Sequence, residues 1–375
     1  MKHPNKLSER PLVCKVLMVN TVPMIYDGIG MTILNYASNL DKADMQVDFV
    51  VINHLEDKMR SQIETMGSRV YELTERNTSQ LKYVKALAKV VKDGGYDVVH
   101  IHCNSCTAAV DLLGAKLGGA KMLCPHSHNT KCVHTSAHKL LRPLFNYLYT
   151  DGFACGELAG QWLYPEKPFT ILKNATNTDK YKFSQEEGER IRRRYGLDDR
   201  IAVGHVAHFT YHKNHPFLID VFSDVIKQDS RYMLFLIGDG KFKEDMISKV
   251  NDLGIAGNVV FVGTTLDIPA YLSAMDMMVL PSLWEGLPNV VIEWQVSGLP
   301  TLVADTVTKD CKLTDSVTFV PLEKEAWVKA ILNTDVNIDR KAQSEKNIKE
   351  IAAAGYSIKE QAARLKQYYI DHLKK

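Results

Sequence analysis

Two glutamates eight positions apart, Glu285 and Glu293 in the stretch PSLWEGLPNVVIEWQVSG (281–298), carry the strongest chemical signal in the chain. A helix is expected to begin near Pro288, so Glu285 projects from the loop before it and Glu293 from within it. Ionised carboxylates in such places accept strong paired hydrogen bonds from vicinal hydroxyls. Between them, Gly286, Leu287 and Pro288 lead into the helix N-terminus, where backbone amides without helical partners suit a diphosphate. Taken alone, the two acids read more readily as a capping or surface pair. Lys213, in the segment HKN, could add positive charge, although a single lysine is ordinarily a solvated surface residue. Asp239 and Gly240 follow an apolar run and could shape a ligand loop or form an ordinary turn. Gly28 and Gly30 mark a glycine loop after the first apolar run. His128, in HSHNT, follows another such run, with His126 as its substitute.

These residues need a scaffold that brings strand ends together. Short β-branched runs at 13–20, 46–53, 97–102, 121–125 and 168–172 alternate with helical stretches such as 79–93, and the alternation restarts. Further runs at 201–206, 232–238, 258–262, 276–280 and 300–304 alternate with helices at about 214–228, 241–253 and 288–297. Alternating β and α units imply an α/β fold with parallel sheets covered on both faces. We therefore expect two Rossmann-like doubly wound domains facing a cleft, with ligands at the carboxyl ends of the strands. The polar stretch 174–200, which lacks an apolar period, is the expected seam. The domains then span 1–173, joined by the terminal segment 356–375, and 174–355.

At 375 residues, with 45% hydrophobic and 24% charged residues, the chain has ample material for two cores. A formal charge of +2 gives no bulk electrostatic case for nucleic-acid binding. Seven scattered cysteines do not suggest a disulfide framework, and neither a signal-peptide run nor an apolar membrane span is evident. A cytoplasmic location is the expectation.

The blocks DGIGMTILNYASNLD (27–41), DVVHIHCNS (97–105), PHSHNT (125–130), ILKNATNTDKY (171–181), GHVAHFTYHKNH (204–215), LIGDGK (236–241) and DSVTFVPL (315–322), with the E-x7-E stretch, resemble the retaining GT4-like, or group 1, glycosyltransferases. The bacterial capsular and exopolysaccharide members are the nearest in pattern. The resemblance implies the GT-B fold with a C-terminal helix crossing back to the N-terminal domain. It also implies a nucleotide diphosphate sugar, with UDP favoured, as donor and a glycan or polyprenyl-linked glycan as acceptor. By motif, Glu285 meets the donor hexose, Glu293 the ribose, Lys213 the diphosphate, and His128 the donor sugar. The 28–30 and 239–240 loops and Gly286–Leu287–Pro288 then border the nucleotide and phosphates. Relatives usually carry Gly and Arg where this chain has Ala207 and His208, and histidine lacks the permanent charge and planar donor fork of arginine. His208 is accordingly a weaker diphosphate ligand.

The chain contains no D-x-D triplet, so a metal clamp has no evident ligands and no cofactor is expected. Contact with the inner membrane face would fall to KLLRPLFNYLY (139–149), which also reads as a packed amphipathic helix. Three rival readings remain: zinc at Cys103, Cys106 and the nearby histidines, a GT-B nucleotide-sugar epimerase, and a non-catalytic sugar-nucleotide-binding or scaffold subunit.

Overall fold

The computed structural model describes residues 14–26 and 28–374; Val13 and Asp27, which the sequence reading includes in the first strand and the glycine block, lie outside them. The chain forms two compact units, one from residues up to Ala175 plus Ile358–Lys375, the other from Thr176–Ser357.

In the first unit, β1 (Cys14–Asn20), β2 (Met45–Val51), β3 (Val70–Glu72), β4 (Val98–Cys103), β5 (Met122–Ser127), β6 (Phe153–Ala154) and β7 (Thr170–Ile171) form one sheet in the order 3-2-1-4-5-6-7. Every pairing is parallel. Side chains alternate between faces along a strand, so Val16 and Met18 join one core and Leu17 and Val19 the other. This double burial is why β1 reads as a continuous apolar run rather than as an alternating one.

The second unit repeats the plan with β8 (Ile201–Val206), β9 (Tyr232–Ile237), β10 (Val259–Gly263), β11 (Met277–Leu280), β12 (Thr301–Ala304) and β13 (Val317–Val320), ordered 10-9-8-11-12-13 and again parallel. The strand order reverses between β8 and β11. In such sheets the crevice outside the strand ends at the reversal is where ligands collect.

Three segments differ from the sequence reading. Gly28 and Gly30 are not in a loop: they form the first turn of the helix Gly28–Asn39. A Cβ on Gly30 would lie 2.1 Å from the Ile25 carbonyl oxygen, so the glycine serves a close backbone approach. The polar stretch 174–200 holds the helix Gln185–Tyr195, whose N-cap Ser184 accepts from the Glu187 amide. This S-x-x-E cap is a helix start that an apolar-period search overlooks. The expected strand at 168–172 shrinks to the two residues of β7.

The last helix, Ile358–Leu373, belongs to the first unit, as the resemblance implies. Ile358, Ala362, Leu365 and Tyr369 sit at helical spacing and all enter the core that also contains Ile33, Tyr36 and Ala37. Tyr369 Oη lies 2.5 Å from His100 Nδ1 on β4, and Lys366 Nζ reaches Asp41 and Asp44 at 2.9 and 2.7 Å. Leu365→Ala should therefore cost about 2–5 kcal/mol, the usual range for a buried leucine. Exposed Arg364→Ala in the same helix should stay within about 0.5 kcal/mol. Urea unfolding of both variants measures the difference.

Candidate active site

The loops that leave β8 and β11 flank the strand-order reversal in the second unit, and they carry Lys213 and Glu285. Asn214 terminates the short turn Tyr211–Lys213 in the left-handed region, with φ 57°, the sole positive φ outside glycine among the described residues. Its Nδ2 donates to the Pro281 carbonyl at 3.1 Å, while the Leu283 amide donates to the His212 carbonyl at 2.8 Å. The two loops are thus joined by direct bonds. Thr306 Oγ1, beyond β12, donates to the Ser282 carbonyl at 2.8 Å and fixes the same loop from the other side.

On this frame Lys213 Nζ meets Glu285 Oε1 at 2.5 Å, and Ser282 Oγ donates to the same oxygen at 2.8 Å. Glu285 Oε2 accepts no bond among the described residues. The pair therefore presents a partly buried cation and a carboxylate with acceptor capacity left over, suited to a ligand that carries both negative charge and hydroxyls.

The floor beneath the pair is uncharged. His205 is fully buried on β8, its Nδ1 donates to the Val279 carbonyl at 2.8 Å, and burial pushes its pKa down to about 4. His215 stacks on Phe209 with ring centroids 4.1 Å apart, and burial, then the neighbouring His205 and Lys213, push it down to about 2. Sequence reasoning missed both residues. Their signal lies in GHVAHFTYHKNH, but nothing local distinguishes a buried neutral imidazole from a ligand. At the rim, Trp284 is 57% exposed and stacks on His212.

Glu293 lies inside the helix Asn289–Val296, directly beyond Gly286, Leu287 and Pro288; Pro288 is its N-cap. Burial lifts the Glu293 carboxyl to about 7, against the opposing pull of Lys180 and a hydrogen bond from Tyr181. Near neutral pH it is balanced between acid and carboxylate.

Asp239 and Gly240 sit where the loop after β9 lies flat against the loop after β8. The Ala207 amide donates to Ile237 and the Phe209 amide to Asp239, both at 3.0 Å, extending the β8–β9 pairing past the strands. His208 Nδ1 donates to the Asp239 carbonyl at 3.2 Å. The Asp239 carboxylate accepts from the Gly240 amide at 2.8 Å, and this bond is the main reason its pKa is lowered. A Cβ at Gly238 would lie 2.1 Å from the Ala207 carbonyl oxygen, and one at Gly240 would lie 2.7 Å from that of Phe209. Gly238, which the sequence reading passed over, is the tighter of the two, with φ 143°.

In the first unit, His128 follows β5, and its Nε2 pairs with His102 Nδ1 at 2.9 Å. Burial pushes His128 down to about 3, so it is a neutral hydrogen-bonding group at physiological pH. His100, His102 and His126 share its face of the sheet, and their ligating nitrogens lie within 4.8 Å of one another. Those rings already bond among themselves, with His100 Nε2 3.1 Å from His126 Nδ1. No cysteine belongs to this group. Burial raises the Cys103 and Cys106 thiols, Cys106 to about 11.

The 238–240 loop gives a direct test. Gly238→Ala must displace backbone and strain φ, so it should lower stability by about 1–3 kcal/mol. Gly257→Ala, where a Cβ meets nothing within 4 Å, should not. Thermal unfolding of the two variants separates them.

Comparison with known proteins agrees with both units. Residues 26–155 match the model of Glycosyltransferase Family 4, and residues 200–334 match that of Glycosyl transferases group 1. The protein EpsF of Bacillus subtilis is 28% identical over 296 residues, covering 75% of this chain and 77% of its own. An Escherichia coli UDP-Gal:alpha-D-GlcNAc-diphosphoundecaprenol alpha-1,3-galactosyltransferase is 24% identical over 79% of this chain and 81% of its own. Among solved structures, Anabaena HepE in complex with UDP-glucose superposes with a TM-score of 0.72 at 19% identity, covering 94% of this chain and 99% of that one. With two matched family models, relatives aligned along most of the chain and the same paired parallel-sheet architecture, the chain belongs to the group 1, family 4 glycosyltransferases of the GT-B fold.

Proposed function

We propose that the protein is a retaining glycosyltransferase that moves a hexose or N-acetylhexosamine from a UDP-sugar to a glycan or lipid-linked glycan in capsular or exopolysaccharide synthesis. The observation that carries this reading is the Lys213–Glu285 pair at the strand-order reversal. Lys213 meets the diphosphate and stabilises the charge that develops as it leaves. Glu285 accepts from hydroxyls of the donor sugar, and Glu293 accepts from the ribose. His128 contributes a neutral imidazole near the sugar. Gly28 and Gly30, His208, Asp239 and Gly240, and the Gly286–Pro288 turn border the phosphates and nucleotide.

The acceptor attacks the face from which the diphosphate departs, and the departing phosphate takes its proton. No enzyme nucleophile is then needed. The absence of a D-x-D triplet in the sequence supports transfer without a divalent metal clamp. The nucleotide preference rests on relatives: HepE is solved with UDP and UDP-glucose, and the galactosyltransferase is named for UDP-Gal and an undecaprenol-linked acceptor. A chain that serves such an acceptor works at the inner face of the plasma membrane. Among the described residues no helix is long and apolar enough to cross that membrane, and the association proposed is a peripheral one.

Transfer assays test these roles. Lys213→Ala should lower the rate about ten- to a thousand-fold, the range for losing one preorganised charge donor. Glu285→Ala should reduce turnover more than it reduces affinity for free UDP, and Glu293→Ala should do the reverse. Unchanged transfer by folded Lys213→Ala, or strict dependence on added metal, would contradict the mechanism. UDP binding without acceptor-dependent turnover would support the scaffold reading instead.

Glu293 adds a pH signature. Its free carboxyl titrates at about 7, and ribose hydroxyls favour the ionised acceptor, so UDP affinity should rise as pH increases from about 6 to 8 and then level off. In the unliganded protein the sign is opposite. A carboxyl whose pKa is raised on folding binds more protons folded than unfolded, so its contribution to stability falls as pH rises from the unfolded value, about 4.3, toward 7. Glu293→Gln should flatten both trends, with calorimetry and thermal unfolding across this range as the measurements.

A further inference from the structure

The helix Thr135–Leu148 has a broad apolar side, and the protein covers only part of it. His138, Phe145 and Leu148 are buried, and Leu141 packs beside them. Beside that face Leu140, Leu144 and Tyr147 follow the i, i+4, i+7 spacing of a continuous stripe. They are 80%, 38% and 75% exposed, and Val133, just before the helix, is 90% exposed.

The charges flanking this stripe in sequence have one sign. From residue 112 to residue 150 the sequence contains five lysines and arginines and neither aspartate nor glutamate. Lys116, Lys131 and Lys139 are exposed. Lys116 Nζ lies 4.8 Å from the centre of the Tyr147 ring, which places a cation against the stripe itself. Arg142 is turned inward onto His138 and the Trp162 carbonyl, and Lys121 pairs with Asp97, so neither adds to the outer face.

We propose that this face docks on an anionic membrane surface, with Leu140, Leu144, Tyr147 and Val133 entering the headgroup boundary and Lys116, Lys131 and Lys139 meeting lipid phosphates. The inference deepens the transferase reading by naming the surface through which it would meet a lipid-linked acceptor. Fourteen residues are too few to span a bilayer, and an apolar stripe flanked by lysines lies in the interface plane. A second copy is the poorer occupant. An isologous dimer sets the same patch against itself and would bring these lysines together.

Sedimentation of the full chain with vesicles tests the proposal. The protein should pellet with phosphatidylcholine vesicles that contain phosphatidylglycerol and stay in solution with phosphatidylcholine alone, and added salt should weaken the binding. Lys139→Gln should reduce partition about five-fold, the effect of one cation near an anionic surface. The double variant Leu140→Ser, Leu144→Ser should reduce it at least about ten-fold, through lost apolar burial. These side chains are exposed, so unchanged circular dichroism should accompany the loss. The proposal is overturned if the folded protein ignores anionic vesicles, binds neutral vesicles equally well, or retains binding in the double variant. A dimer abolished by Leu140→Ser in protein that does not bind vesicles would also overturn it, by assigning the face to a second copy. UDP binding measured on the same preparation reads the transferase assignment separately.

Discussion

In the second unit the order of parallel strands reverses between β8 and β11, and most of the site follows from that reversal. Crossover helices leave the two strands in opposite directions, so the loops after them are not covered by a continuing connection. Two open loops alone would be mobile. Here the Asn214 side-chain Nδ2 on the Pro281 carbonyl and the Leu283 backbone amide on the His212 carbonyl bind them to each other. Lys213 and Glu285, 72 positions apart in sequence, consequently meet as an ion pair. The left-handed Asn214 is part of the same device, since that conformation turns the chain from the short Tyr211–Lys213 turn into the helix His215–Gln228.

Burial around the pair decides which groups carry charge. Desolvation disfavours an imidazolium, and His205 and His215 are both held neutral beneath Lys213. A charged imidazole there would repel the lysine and any cationic neighbour. The neutral floor leaves Lys213 as the cation facing Glu285 and lowers the local dielectric, which strengthens its interaction with an incoming anion. The histidines of the first unit follow the same rule. His100 and His102 on β4, His126 on β5 and His128 just beyond it are all depressed by burial, and one ring-to-ring bond joins each of the pairs His100–His126 and His102–His128.

Much of this was legible in the sequence because it depends on residue type and short spacing. Glu285 and Glu293 could be placed on a loop and the following helix from eight residues of separation and one proline. The doubly wound plan was legible because strands buried on both faces read as unbroken apolar runs. What escaped depends on contacts between distant segments. Gly238 is required by the Ala207 carbonyl, 31 positions earlier, and no local pattern announces that approach. His205 and His215 acquire their neutral state from packing. The Gln185–Tyr195 helix was missed for another reason: it buries only Gly188 and Ile191, too few apolar positions to set a period, and declares itself through its Ser184 cap. Gly28 and Gly30 resemble a loop by composition, yet Gly30 fits a helix because the Ile25 carbonyl occupies the space where a side chain would stand.

The ion pair also bears on how a donor could be accepted without a large rearrangement. In the unliganded site Glu285 Oε1 is satisfied by both Lys213 and Ser282. Removing either partner from a partly buried pair leaves the other uncompensated, so the pair keeps the lysine ordered before a ligand arrives. Under the proposed reaction, a diphosphate offers Lys213 more negative charge than one carboxylate can. The lysine then shifts its principal contact to phosphate, and Glu285 exchanges an ammonium donor for sugar hydroxyls. Each group keeps a partner throughout, and neither passes through an unpaired buried state. Ser282 remains on Oε1 during the exchange, and its loop is tied down by Thr306, so the carboxylate is held in position while its other donors change. On that proposal the site orders its cation before binding, and the new charge interactions formed with the donor replace those of the resting pair.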